Sequence, residues 1–117
     1  MNTKVSFEGI GELSATFYHD NATKGELVML SDNHRVKDCT SGATFIGICT
    51  NANALTAQVQ LYGYVKLPYT GSTAPSVGYC RLMANGDGGV SVASSSTGRE
   101  YLVLDVDTTD AVVGFML

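Results

Sequence analysis

The chain has 117 residues, a formal net charge of −4, 44% hydrophobic residues and 15% charged residues. It is too apolar for a disordered chain, and without a basic excess it lacks the charge pattern of proteins that bind nucleic acids or anionic membranes. Its length corresponds to one domain with its own core. Because 12 valines and 12 threonines stand against only 4 lysines, strand formers dominate and an all-β fold is expected.

Targeting signals are not evident in the sequence. The first residues include no apolar run of the kind a secretion signal needs, and no stretch is long enough to cross a bilayer. Cys39, Cys49 and Cys80 are odd in number and widely spaced, which favours free thiols in a reducing compartment over a disulfide framework. We expect synthesis in a cytoplasm.

Residues 1–23 differ from the rest of the chain. Alternating apolar positions occur only at Val5 and Phe7 and again at Ala15 and Phe17. We interpret this segment as an extended N-terminal arm or an edge strand that a neighbouring subunit orders. The alternative is an ordinary first strand of the same barrel.

Residues 24–117 are predicted to form a small antiparallel β-barrel or sandwich, because short apolar segments recur between turn signals. No internal repeat is evident. The shorter strand candidates are Glu26–Leu30, Arg35–Asp38, Thr44–Thr50, Tyr79–Ala84, Gly89–Val92, Glu100–Val106 and Ala111–Leu117.

The longest strand candidate is Ala57–Leu67, in which apolar and polar residues alternate without a break. This period of two predicts a half-buried strand with a bend or bulge at Gly63. Pro68 is expected to end its pairing. Tyr62 and Tyr64 lie on its outward face.

Two turn sequences predict hairpins. The Asn85–Gly89 segment tolerates positive φ, so it should fold Tyr79–Ala84 back onto Gly89–Val92. The acidic Asp107–Asp110 turn should likewise pair Glu100–Val106 with the last strand, so the apolar end of the chain is expected to lie in the sheet.

Three residue sets could in principle carry chemistry, and each has a simpler explanation. The first, His34, Asp38 and Cys39, could form a nucleophilic cluster, but no helix N-terminus or nucleophile elbow would activate the thiol. Zinc bound by Cys39, Cys49, Cys80 and His34 would lack paired cysteine spacing. The third set, Asp105, Asp107 and Asp110, faintly resembles a calcium loop but fits turn carboxylates better.

Five segments in order resemble the small capsid decoration proteins of tailed bacteriophages, also called head-stabilising or cement proteins. They are the opening Lys24–Asn33 segment, the Phe45–Ile48 strand, the Gln58–Pro68 strand, and Tyr101–Val106 followed by Val112–Phe115. The likeness covers about residues 24–117. Glu26 stands where the family often has Asp, which leaves the expected fold intact.

The resemblance implies a compact barrel on the outer face of the assembled head that clamps neighbouring major capsid protein subunits. It also implies a homo-oligomer, with a trimer favoured, and a non-enzymatic virion protein without cofactor or metal. We expect the residues that contact the capsid to be tyrosines, whose rings are amphipathic, and residues of the N-terminal arm. Tyr62 and Tyr64 are the leading candidates. The alternative is that these two rings are covered within the subunit. The full set of candidate contact residues is Val5, Phe7, Tyr18, Tyr62, Tyr64 and Tyr69.

The competing function is a β-sandwich module of a virion that binds a ligand or receptor such as a glycan. Tyrosines on a sheet face would serve that role as well. The chain has no tryptophan and no clear cluster of polar groups around an aromatic platform, which disfavours it.

Overall fold

The structure, a computed structural model, describes residues 12–94 and 96–117. These residues form strands, turns and loops without any helix, which confirms the predicted all-β class. The strands are β1 Leu13–Asp20, β2 Leu27–Asp32, β3 Arg35–Asp38, β4 Gly47–Ala52, β5 Thr56–Tyr62, β6 Tyr64–Thr70, β7 Gly78–Ala84, β8 Val90–Val92, β9 Arg99–Asp107 and β10 Val112–Met116.

The strands make two closed barrels with the same topology. The first barrel contains β1 to β5 and the second contains β6 to β10. In each, the first strand pairs in parallel with the third and antiparallel with the fifth, and the remaining pairs are antiparallel. The chain therefore repeats one architecture, although its sequence shows no repeat.

Most strand predictions are confirmed, with shifted ends. Both predicted hairpins, β7 with β8 and β9 with β10, are antiparallel pairs in the structure. The parallel pairs were not foreseen, and neither was the second barrel. Within residues 1–23, β1 lies between β3 and β5, so its residues form an ordinary barrel strand, the alternative left open above.

Gly63 separates β5 from β6, and its φ of 112° is open to glycine but strained for other residues. The predicted bend is therefore present, but the single strand predicted over Ala57–Leu67 was wrong, because at Gly63 the chain passes from β5 of one barrel to β6 of the other. The expectation that Pro68 ends pairing was wrong, because β6 continues to Thr70. Tyr69 N donates to Ala111 O at 3.0 Å, so the odd-numbered residues of β6 bond β10 and the missing N–H of Pro68 faces away.

Each barrel has its own apolar core. The core of the second barrel also contains two residues that come from the first half of the chain, Leu27 and Phe45. The buried residues of the first core are Ala22, Val28, Val36, Cys49, Ala57 and Val59. Those of the second are Leu27, Phe45, Val65, Leu67, Leu82, Ala84, Val90, Tyr101, Val103, Val113 and Phe115.

Residues 39–46, between β3 and β4, form a bridging segment that joins the two barrels. Phe45 stacks on Tyr101 with ring centroids 4.9 Å apart and lies 6.1 Å from the Phe115 ring. Tyr101 also donates its hydroxyl to Phe45 O at 3.1 Å. Backbone hydrogen bonds from Gly42 N to Ala84 O and from Ala84 N to Ala43 O extend the contact. This segment therefore locks the first barrel onto the second.

The β7–β8 turn is organised by Asn85. Its Oδ1 accepts from Asp87 N at 2.7 Å and from Gly89 N at 3.1 Å, while its Nδ2 donates to Thr70 Oγ1 at 3.1 Å. The predicted hairpin chemistry is confirmed, and the turn is also tied to the end of β6.

Replacing Phe45 with alanine should destabilise the whole chain, because it removes a ring that is 1% exposed from between two aromatic partners. We expect a loss of about 3–5 kcal/mol in the free energy of unfolding. Urea denaturation monitored by tyrosine fluorescence and far-UV circular dichroism would measure it. The matched variant Phe45→Leu should lose much less, and a small loss for Phe45→Ala would contradict the bridging role.

Gly47, in the middle of the Ile46-Gly47-Ile48 motif, should not tolerate a side chain. A Cβ there would lie 2.1 Å from Gln60 O and 2.8 Å from Val59 Cγ1, because β4 and β5 approach closely. We expect Gly47→Ala to cost about 3 kcal/mol. Gly71→Ala is the control. Gly71 has a φ of 105°, but an added Cβ would meet no atom within 4 Å, so this substitution should lower the free energy of unfolding by only about 1–2 kcal/mol, through backbone strain. Equal losses in urea denaturation would refute the close-approach explanation.

Candidate functional site

An apolar row crosses four strands on the outer face of the second barrel. Tyr79 of β7 is paired with Leu102 of β9, Leu102 with Met116 of β10, and Met116 with Tyr64 of β6. Residues directly opposite in neighbouring strands point to the same face, so these four side chains lie side by side. We call them the apolar row.

The apolar row is open to solvent at one end. Tyr79 is 72% exposed, and Leu102, Met116 and Tyr64 are half-buried. Val77, just before β7, is 70% exposed as well. Single exposed apolar residues are ordinary, but a continuous row of large ones on a rigid sheet is typical of an interaction surface.

Tyr64 closes the other end and is held within the chain. Its hydroxyl donates to Asp105 Oδ2 at 2.5 Å. Gly114 provides the room, because a Cβ there would lie 2.0 Å from the Tyr64 hydroxyl oxygen. Burial, followed by the Asp105 carboxylate, raises the pKa of Tyr64 to about 12. The ring therefore packs across the sheet with its polar end satisfied.

A second exposed pair lies at the junction of the two barrels. Leu13 of β1 is paired with Tyr62 of β5, and they are 51% and 59% exposed. We call these two residues the junction pair. Tyr62 comes just before Gly63, so the junction pair borders the second barrel.

The structure places the predicted contact residues in three kinds of position. Tyr62 is exposed as expected, whereas Tyr64 follows the alternative and is partly covered within the subunit. Tyr18 is 55% exposed, with the Arg35 guanidinium 5.7 Å from its ring centroid. Tyr69 is half-buried against the second core. Val5 and Phe7 lie outside the described residues.

Sequence reasoning missed the aliphatic members of these surfaces, Leu13, Leu102 and Met116. Leu102 and Met116 lie in apolar stretches of β9 and β10, where the outward face cannot be told from the inward face. Leu13 lies in the segment that was interpreted as an arm or edge strand. Only the register, which pairs Leu102 with Tyr79 and Met116, identifies them as surface neighbours.

The nucleophilic cluster is not assembled. His34 and Cys39 lie at opposite ends of β3, about 16 Å apart at the usual rise of an extended strand. The Asp38 carboxylate accepts from Thr23 N and Thr23 Oγ1. Burial, with a smaller contribution from Asp38, raises the pKa of Cys39 to about 12, so its thiol is protonated at neutral pH.

The cysteines are divided between the two cores. Cys49 is buried in the first core, while Cys39 and Cys80 pack against the second, and all three are free thiols. Within residues 12–94 and 96–117, no group of three or more His, Cys, Asp or Glu side chains could hold a metal ion.

The acidic turn after β9 is held by its own carboxylate. Asp107 Oδ1 accepts from Thr109 N at 2.9 Å and from Asp110 N at 3.1 Å. Asp107 therefore stabilises the turn, as expected for a turn carboxylate.

Comparison with models of known protein families, with curated proteins and with solved structures found no match to this chain. The described part of the chain also has no helix of the length and apolarity that a membrane crossing requires.

The Tyr64 hydrogen bond predicts a loss of stability at alkaline pH. Because the folded state raises the pKa of Tyr64 from 10.0 to about 12, the stabilisation is present below pH 10 and is lost as the pH rises through 12. Tyr64→Phe should lose about 1 kcal/mol at pH 8.

The stability difference between wild type and Tyr64→Phe should therefore shrink as the pH rises above 10. Urea denaturation at pH 8 and pH 11 would measure it. The control Tyr62→Phe changes an exposed tyrosine and should match wild type at both pH values. A difference that stays constant with pH would contradict the assignment.

Proposed function

We propose that the chain is a capsid decoration protein that binds the outer surface of an assembled phage head and stabilises contacts between major capsid protein subunits. The observation that carries this proposal is the apolar row, which presents Tyr79, Leu102, Met116 and Tyr64 side by side on a closed barrel. The resemblance of residues 24–117 to decoration proteins supports the same conclusion.

The apolar row suits a binding role because it consists of four large side chains held side by side by an ordered sheet. Aromatic residues and methionine are enriched at protein interfaces, since they bury much area at low entropic cost. Two of its members, Leu102 and Met116, are held in place by strands on both sides. A partner surface would therefore meet a rigid platform.

The two-barrel shape suits a clamp. The described chain measures 46 Å along its longest axis and 22 Å along its shortest. The apolar row lies on the second barrel, and the junction pair lies where that barrel meets the first. Contacts on both surfaces would let one molecule press on two neighbouring capsid subunits, and many copies would add their small contributions.

The role we propose is structural and non-enzymatic. The residue set that could have formed a nucleophilic cluster is split across β3, and the Cys39 thiol is protonated at neutral pH. We further propose that the protein acts as a homo-oligomer, a trimer by resemblance, on the exterior of the virion after synthesis in the bacterial cytoplasm.

A glycan-binding role is the second candidate. The observation that favours it is a depression of about 220 Å³ beside the exposed Tyr18 ring, lined also by Thr16, His34 and Thr56. These residues provide an aromatic face with hydroxyl and imidazole groups around it, a combination used in sugar binding. The Arg35 guanidinium carbon lies 5.7 Å from the centroid of this ring.

Substitution of the exposed end of the apolar row should weaken capsid binding without unfolding the protein. Tyr79→Ser changes a side chain that is 72% exposed, so the free energy of unfolding should move by no more than about 0.5 kcal/mol. Co-sedimentation with undecorated capsids of the same virus should show at least about tenfold weaker binding, as expected for the loss of an interface aromatic.

Leu55→Ser is the matched control, since Leu55 is also 72% exposed but lies on the β4–β5 turn of the first barrel. It should bind capsids as wild type does. If wild type fails to sediment with capsids but binds a glycan array, and Tyr18→Ser removes that signal, the second candidate replaces the first.

A further inference from the structure

A groove of about 370 Å³ lies where the two barrels meet, along the first half of β6. Ile48 of β4 and Val65 of β6 form apolar walls, and Gln60, which is 7% exposed, lies deeper. Lys24 and Lys66 line it as exposed residues. Tyr64, at the covered end of the apolar row, also lines the groove, so the two surfaces adjoin at that residue.

The groove follows the edge of β6. This strand pairs with β10 from Tyr64 to Pro68, but with β8 only at Tyr69 and Thr70. Val65 points into the core and Lys66 points outward, yet both line the groove. A groove lined by residues from both faces of a strand must run along the strand's edge.

The backbone of Lys66 faces this edge. Tyr69 N donates to Ala111 O and Leu117 N donates to Gly63 O, so the odd-numbered residues of β6 direct their backbone groups toward β10. The N–H and C=O of Lys66 therefore point the other way, and no described backbone group bonds them. Such a donor and acceptor can pair with an added extended chain.

The two lysines give the groove a positive charge in a chain of net charge −4. Among the described residues, the one ion pair within 4.0 Å joins Arg35 and Asp20, so neither lysine is neutralised in that way. Arg81, by contrast, is engaged within the chain, because it donates to the carbonyls of Ser94, Thr97 and Gly98. The chemistry of the groove therefore fits an extended segment that carries carboxylates.

We propose that the groove binds an extended, acidic segment of the major capsid protein. The segment would lie beside β6, exchange backbone hydrogen bonds with Lys66, place apolar side chains against Ile48 and Val65, and set carboxylates near Lys24 and Lys66. The identity of the partner rests on the proposed function, whereas the acidic, extended character of the ligand rests on the groove.

Charge reversal at the groove tests the proposal on capsids. Lys24→Glu and Lys66→Glu should each weaken co-sedimentation with undecorated capsids at least about tenfold, because like charges would then meet. Lys37→Glu is the matched control, since Lys37 is an exposed strand lysine away from the groove. It should bind as wild type does. Unchanged binding by both groove variants would overturn the proposal while leaving the decoration function intact.

A second measurement separates the groove from the function. A short peptide that alternates glutamate and valine would be titrated into the full chain and followed by amide chemical shifts. The proposal predicts shifts at Lys24, Ile48, Val65 and Lys66, lost in Lys66→Glu and absent with an otherwise identical lysine-valine peptide. Such shifts without any capsid binding would support the groove and reject the decoration function. No shifts, or shifts only elsewhere, would overturn the groove.

Discussion

The insertion of Phe45 into the second core is the constraint on which the rest of the structure depends. Its ring stacks on Tyr101 and packs near Phe115, although Phe45 belongs to the segment between two strands of the first barrel. Each barrel alone holds only about half of the chain, and a smaller unit buries a smaller fraction of its surface on folding. Sharing Phe45 and Leu27 makes one folding unit of the two. The groove, which is lined by residues of both barrels, keeps its shape for that reason.

Three glycines have different structural roles, and only one of these roles could be predicted from the local sequence. Gly63 turns the chain between barrels, Gly47 lets β4 and β5 approach, and Gly114 makes room for the Tyr64 hydroxyl. Only the bend at Gly63 was predictable, because it interrupts an alternating strand. The other two depend on which strands become neighbours, and close approach between distant strands leaves no local pattern.

The same limit explains what could and could not be predicted of the candidate site. Alternation and turn residues located the strands and both hairpins. The exposure of Tyr62 was also predictable, because the alternating pattern puts it on the other face of the strand from Val59 and Leu61. The parallel pairs and the second barrel could not be predicted, because they are set by long-range pairing. The partner of Tyr64, Asp105, lies 41 residues away, so its half-burial had no sequence signal.

The turn at Asn85 has a consequence for how the protein ages. In an asparagine followed by glycine, the next backbone nitrogen can attack the side-chain amide carbon and convert the residue slowly to aspartate or isoaspartate. Here the Asn85 amide is fastened to Asp87, Gly89 and Thr70, which holds it away from the geometry of ring closure. The hydrogen bonds that shape the hairpin therefore also slow its chemical decay.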